Sequence, residues 1–149
     1  MTLARLRYTG PYGAGVEYFW RHQVHDWMHK HGLLGHVRYG IGYDDPAITA
    51  PELCRYDAAV LLDAESPQDG LDLMVLPGGG YVCRQFRGTV GEVAEAWQLI
   101  HQRLLGRGPA PDGRLCFESY PLTANFDPQT GIFDAELWYP DIEVSNPST

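Results

Sequence analysis

Residues 1–66 and 71–144 carry the same order of local signals twice: strand, glycine-bearing turn, helix with a tryptophan near its middle, strand, loop, strand. Gly10, closing Arg7-Tyr8-Thr9-Gly10, stands ten residues before Trp20, and Gly88, closing Phe86-Arg87-Gly88, stands nine before Trp97. Self-similarity of this kind marks a duplicated structural unit, here β-α-β-β. One such unit cannot cover both faces of its own strands, so two copies must pack together, with a shared cleft where they meet. The expected fold is α+β, with antiparallel sheets, two main helices and a ligand cleft between the halves, in one domain over residues 1–144. At 149 residues the chain can bury a core without a disulfide or metal to staple it.

In the first copy, Leu3 to Tyr8 reads as a strand that stops at the turn-formers Thr9-Gly10-Pro11-Tyr12-Gly13. From Gly15 to about Gly32, Val16, Phe19, Trp20, Val24, Trp27 and Met28 recur at helical spacing, with Gly32 placed to cap the end. Phe19, Trp20, Val24 and Trp27 make the core stripe, and Tyr18, His22, His25 and His29 lie opposite. His25 and His29 have the i,i+4 spacing of a metal pair but no carboxylate or cysteine partner at clear spacing, so a solvated face is expected. Val37 to Tyr43 alternates Val37, Tyr39, Ile41 and Tyr43 against Arg38, Gly40 and Gly42, a strand period. Asp44-Asp45-Pro46 ends it as a structural turn, having too few oxygen ligands for calcium or magnesium. Tyr56 to Leu62 is the last strand of this copy.

The second copy runs through Leu71 to Leu76, a break at Pro77-Gly78-Gly79-Gly80, and Tyr81 to Phe86. Arg87-Gly88-Thr89 then enters a helix with Val93, Trp97, Ile100 and Leu104 on one face, ending near Gly106 to Pro109. The glycine run lacks the Lys and Ser/Thr of a phosphate loop and precedes a strand, so it reads as a hairpin or bulge. Leu115 to Tyr120 and Ala135 to Tyr139 are the closing strands, and Ser145 to Thr149 a frayed, flexible tail.

Within Arg114 to Tyr120, RLCFESY, strand parity puts Leu115 and Phe117 on one face and Cys116, Glu118 and Tyr120 on the other. Glu118 is thus a carboxylate among apolar and aromatic neighbours. Desolvating even a neutral polar group without a partner costs roughly 2–7 kcal/mol, so either the protein or a ligand must satisfy it.

A formal charge of −8, with 11 Lys and Arg and no basic run, argues against a phosphate-neutralising surface and hence against direct nucleic-acid binding. It suits cationic small molecules or basic protein patches. Cys54, Cys83 and Cys116 are odd in number, far apart and without a CxxC pair, which fits a reducing cytoplasm rather than a disulfide framework or zinc site. No apolar run reaches the roughly 18 residues a membrane helix needs, and the N-terminus lacks a signal-peptide core.

Thr9-Gly10-Pro11-Tyr12, Tyr43-Asp44-Asp45-Pro46, Arg55-Tyr56-Asp57-Ala58, Pro77-Gly78-Gly79-Gly80-Tyr81, Trp97, Cys116-Phe117-Glu118-Ser119-Tyr120 and Glu136-Leu137-Trp138 follow one another in a telling order. In that order and spacing, over almost the whole chain, they resemble the GyrI-like small-molecule-binding domains. That family includes standalone DNA gyrase inhibitors and the effector domains of AraC-type and multidrug regulators. The resemblance implies the duplicated fold with its central cleft, and Glu118 falls on the family's pocket glutamate. The family usually opens with a further strand before the one ending in Thr-Gly-Pro. Met1 starts too late to supply it, whereas Leu71 to Leu76 supplies it in the second half. The first sheet is then expected to have an exposed edge, which invites dimer pairing or points to a shifted start codon, leaving monomer or homodimer. No helix-turn-helix precedes the domain, so a sensor of this kind would signal through another protein or act on the ligand itself.

Three functions follow. The first is binding of an aromatic, often cationic compound, with Glu118 as electrostatic anchor and Tyr120, Trp138, Tyr39, Tyr56 and Trp20 as walls, because aromatic faces stack on planar rings and attract cations. The second is hydrolysis: some members of the resembled family open reactive electrophilic rings, and Glu118 beside Tyr120 forms a base and acid pair, with Glu136 in the next strand. The third is a protein partner, gyrase or a similar enzyme, engaged by the acidic surface. None of the three calls for a cofactor.

Overall fold

Among the described residues seven strands form: β1 (Thr2–Thr9), β2 (Arg38–Gly42), β3 (Arg55–Leu61), β4 (Asp72–Val75), β5 (Tyr81–Gly88), β6 (Cys116–Tyr120) and β7 (Phe133–Pro140). In this computed structural model, which describes residues 1–66, 69–76, 78–105, 113–122 and 126–141, they make one antiparallel sheet in the order β4-β1-β3-β2-β6-β7-β5. The expected tail and the end of the second helix near Gly106 lie outside the described residues.

The duplication is written in the pairing. Strands β1-β3-β2 and β5-β7-β6 repeat one local order, and β2 joins β6 to fuse the copies. Gly40 pairs with Ala58 in the first copy and Glu118 with Leu137 in the second, so Gly40 and Glu118 hold the same place, and they face each other across the seam. The two halves therefore share a single sheet rather than owning separate ones. The reason is that β2 and β6 would otherwise each present a row of unpaired backbone groups.

The edge of the first half differs from expectation. Among the described residues β4, within the Leu71 to Leu76 stretch that the sequence places at the start of the second copy, pairs with β1 and covers the edge expected to be open. The next strand, β5, lies at the far side of the sheet. From Val75 to Tyr81 the chain advances few residues, spanning at most about 22 Å, whereas the outer strands of a flat seven-stranded sheet would stand about 29 Å apart. The sheet must curl to bring its edges together. Its inner face then packs Leu3, Tyr39, Ile41, Ala59, Leu76 and Phe117 into a core. Asp57 is fully buried on this side, held by Arg7 at 2.8 Å, Arg5 at 3.3 Å and the Tyr43 hydroxyl at 2.5 Å.

Both helices lie on the other face. The first runs through Ala14–Phe19, a π-helical turn at Trp20–Val24, and His25–Lys30. Gly32, at φ +68, ends it in the left-handed region, with its N–H on the His29 carbonyl and Leu33 N–H on Met28, the paired bonds of a Schellman cap. Phe19, Val24 and Met28 are buried against Ala4, Ala58 and Val60. Trp20 and Trp27, expected in the stripe, are only partly buried, while Met28 takes the core position. Tyr18, His22, His25 and His29 are exposed.

The second helix, Val90–Ile100, continues into a π-helical turn at His101–Leu105. Val93 and Ile100 pack on Leu137 and Tyr139. Thr89 and Glu92 close a reciprocal capping box at its start. Thr89→Ala removes that acceptor and is expected to lower unfolding stability by about 1 kcal/mol in urea titrations. No helix among the described residues is long and apolar enough to cross a membrane.

Candidate functional site

Between the two helices and over the β2–β6 seam lies a cavity of about 900 Å³, at the upper end of ordinary small-molecule pockets. Val16 and Trp20 line it from the first helix, Val93 and Trp97 from the second, and Gly40, Glu118 and Tyr120 from the sheet. β2 offers only Arg38, Gly40 and Gly42 to this side, and glycine in a strand interior opens space for close approach. A Cβ on Gly40 would sit 2.1 Å from the Tyr56 hydroxyl and 3.3 Å from that of Tyr120. The floor is thus hollow in one copy where the other copy carries its carboxylate.

Glu118 is 8 % exposed. The Trp97 indole N–H donates to its Oε2 at 2.6 Å, and the Tyr120 hydroxyl donates to its Oε1. The Trp20 indole N–H donates to the Tyr56 hydroxyl at 2.8 Å, and the Tyr56 and Tyr120 hydroxyls stand near enough for each to influence the other's titration. The mid-helix tryptophans of both copies thus donate into one buried polar group, Trp97 to the carboxylate itself and Trp20 to Tyr56.

Burial pushes the Glu118 carboxyl above its ordinary value of 4.5, while the Tyr120 and Trp97 bonds oppose the rise. Burial also raises both tyrosines, chiefly by desolvation, so they remain neutral donors. Among the described residues Glu118 therefore receives hydrogen bonds but no cation, and two of its roughly four acceptor positions are left by these two donors. Cys116 lines the same wall, but burial pushes its thiol up to about 12, which leaves it a neutral thiol rather than a nucleophile. Among the described residues no group of three or more His, Cys, Asp and Glu side chains is placed to hold a metal.

Glu118, Tyr120, Tyr56 and Trp20 thus come together at the cavity. Tyr39 and Trp138 do not. Tyr39 points into the inner core against Phe117, and Trp138 stacks on Phe117 at 5.9 Å and 10° while donating to Ser119. Glu136 faces the same side, occupied by Ser119 and Gln85. Strand parity explains all three: β2 pairs Tyr39 with Ser119, and β7 pairs Trp138 with Phe117 and Glu136 with Ser119, the residues whose side chains face away from Glu118. Trp97, which the sequence places on one helix face and among the family-matching positions but not among the expected site residues, joins them at the cavity; its recurrence in the second copy, where Trp20 stands in the first, is the signal for it.

A duplicated antiparallel sheet with a carboxylate-floored, tryptophan-walled cavity between its helices defines a small-molecule-binding domain. The chain belongs to the GyrI-like small molecule binding domain family, whose model matches residues 1–140. It is 27 % identical to the DNA gyrase inhibitor of Pectobacterium carotovorum, over 98 % of this chain and 94 % of that protein. It is 34 % identical to the DNA gyrase inhibitor of Edwardsiella piscicida over 79 % of each chain. DNA gyrase inhibitor 2 of Dickeya dadantii is 26 % identical, over 89 % of this chain and 84 % of that one.

Proposed function

We propose that this protein binds aromatic cations in the cytoplasm, holding the positive charge against Glu118 and the ring system between Trp20, Trp97 and Tyr120. The observation that carries this reading is a buried carboxylate whose described partners, Trp97 and Tyr120, are neutral donors. A charge out of water is costly without a counter-charge, and a cationic ligand supplies one. Indole and phenol rings add cation attraction and stacking.

The test is a thermal-shift screen of wild type and Glu118→Gln against planar lipophilic cations and neutral aromatics of matched size. Cations raise the midpoint of wild type alone. Equal stabilisation by cations and neutral rings, unchanged in the variant, refutes the role given to the carboxylate.

The Tyr120 hydroxyl on Glu118 supports a second reading, hydrolysis of an electrophilic ring. Glu118 takes a proton from water as its oxygen bonds to the electrophilic carbon, and a tyrosine proton passes to the leaving atom. Mass spectrometry of the same incubations decides it: a product gained by one water, absent with Glu118→Gln, is the outcome this reading requires. The relatives' name supports gyrase as a protein partner. Recovery of gyrase on the immobilised chain at low salt is expected under that reading, and no recovery at any salt removes it.

A further inference from the structure

Arg38 lines the cavity, on the same face as Gly40 and Glu118, yet among the described residues it has no ion-pair or hydrogen-bond partner. Arg5 and Arg7 are engaged by Asp57, Arg55 by Asp44 and Arg87 by Asp134. Arg21, the other arginine on the cavity, has Glu17 one helical turn away at 3.7 Å.

Register fixes where Arg38 stands. It pairs with Tyr120 across the seam, so it is the diagonal neighbour of Glu118, which pairs with Gly40. Diagonal neighbours start about 7–8 Å apart. The two charges do not meet, because Tyr120 stands directly opposite Arg38 and its hydroxyl occupies Glu118 Oε1. The cavity therefore presents a buried anion and, at its exposed end, a guanidinium without a partner among the described residues, with the Tyr120 ring beside both. Leu34, Leu122 and Phe126 give that end an apolar rim.

We infer that the ligand class is an aromatic amino acid in the broad sense: a planar compound with an amine at one end and a carboxylate at the other. The amine is held by Glu118 and the carboxylate is clamped by Arg38. This rests on the cation reading above and adds a specificity residue to it. A guanidinium fork matches a carboxylate in two parallel hydrogen bonds. The same charge repels a second cation, so Arg38 also selects against dicationic compounds.

The test is calorimetric titration of the full chain with 4′-(aminomethyl)biphenyl-4-carboxylic acid and with its methyl ester, which keeps the ring and amine but lacks the anion. The acid is expected to bind wild type about tenfold more tightly than the ester, a modest gain because Arg38 is exposed. Arg38→Gln is expected to bring the ratio to about one, and Arg38→Lys to leave it between. If the ester binds in a Glu118-dependent manner and the acid binds no better, the carboxylate clamp is overturned while the cation site stands. If the ratio persists in Arg38→Gln, Arg38 is not the clamp. If neither compound binds wild type, both readings fall together.

Discussion

Glu118→Gln is expected to weaken binding of a planar aromatic cation by about a hundredfold, because a charge-assisted hydrogen bond in a desolvated site contributes roughly 1.5–3 kcal/mol. The substitution is close to isosteric. Glutamine keeps a carbonyl oxygen for the Trp97 indole, so the wall of the cavity remains. The Tyr120 hydroxyl meets either that oxygen or an amide N–H, and in the second case it must turn to accept. The loss is therefore one of charge, and neutral rings of the same shape should bind both forms alike. Titration calorimetry of the two proteins with one cation and its neutral isostere measures this directly.

The pH dependence follows from the same carboxyl. Burial holds Glu118 above its ordinary value of 4.5 in the folded chain. Cation affinity in wild type should fall as pH is lowered through that raised pKa, since a protonated carboxyl offers no counter-charge. For the free protein the sign is opposite. Folding disfavours the ionised carboxylate, so its cost is fully present above the folded pKa, shrinks as pH falls, and is gone below 4.5. Urea unfolding at stepped pH should show wild type gaining on Glu118→Gln as pH descends through this window. A constant difference between them would mean that the carboxyl titrates alike in the folded and unfolded chains.

Gly40→Ala is the second large effect. The added methyl would lie 2.1 Å from the Tyr56 hydroxyl oxygen and 2.9 Å from its ring carbon, and Tyr56 is itself buried. Something must move, and overpacking of this kind costs about 1–3 kcal/mol. Tyr56 receives the Trp20 indole and stands beside Tyr120, which bonds Glu118, so its displacement also disturbs the group around the carboxylate. The variant is expected to lose about 2–3 kcal/mol of stability and most of its ligand affinity. Tyr56→Phe removes the nearer of the clashing atoms, so the double variant should be more stable than the two single costs predict. Denaturant unfolding of all four proteins closes that cycle, and simple additivity would show that Gly40 does not make room for Tyr56.

Local chemistry carried much of this molecule. Gly32 announced the end of the first helix, because the left-handed turn there suits a residue without a Cβ. Asp44 and Asp45 behave as the turn their spacing implies, Asp44 holding Arg55 and Asp45 the Ala47 amide. The repeated order of signals led to the duplicated β-α-β-β unit, and strand parity put Cys116, Glu118 and Tyr120 on one face. What parity could not say was which face of β2 and β7 is shared with them. Tyr39 is the wall candidate that β2 offers, yet it fills the inner core beside Ile41, and the cavity takes the glycine side. A cavity needs absent side chains as much as present ones.

The amino-acid sequence by itself determined the elements, their duplication, and the placing of one carboxylate among aromatic neighbours, because these follow from periodicities of two and 3.6 and from turn chemistry within a few residues. Tertiary structure alone decided that β4 pairs with β1, that β2 and β6 fuse two halves into one curled sheet, and that Trp97 and Tyr120 meet on Glu118 in the same cavity where Trp20 meets Tyr56. Those outcomes depend on which edges and faces meet across long stretches of chain. No local pattern encodes that choice; it is settled when the unpaired backbone edges and apolar faces of the whole chain are satisfied together.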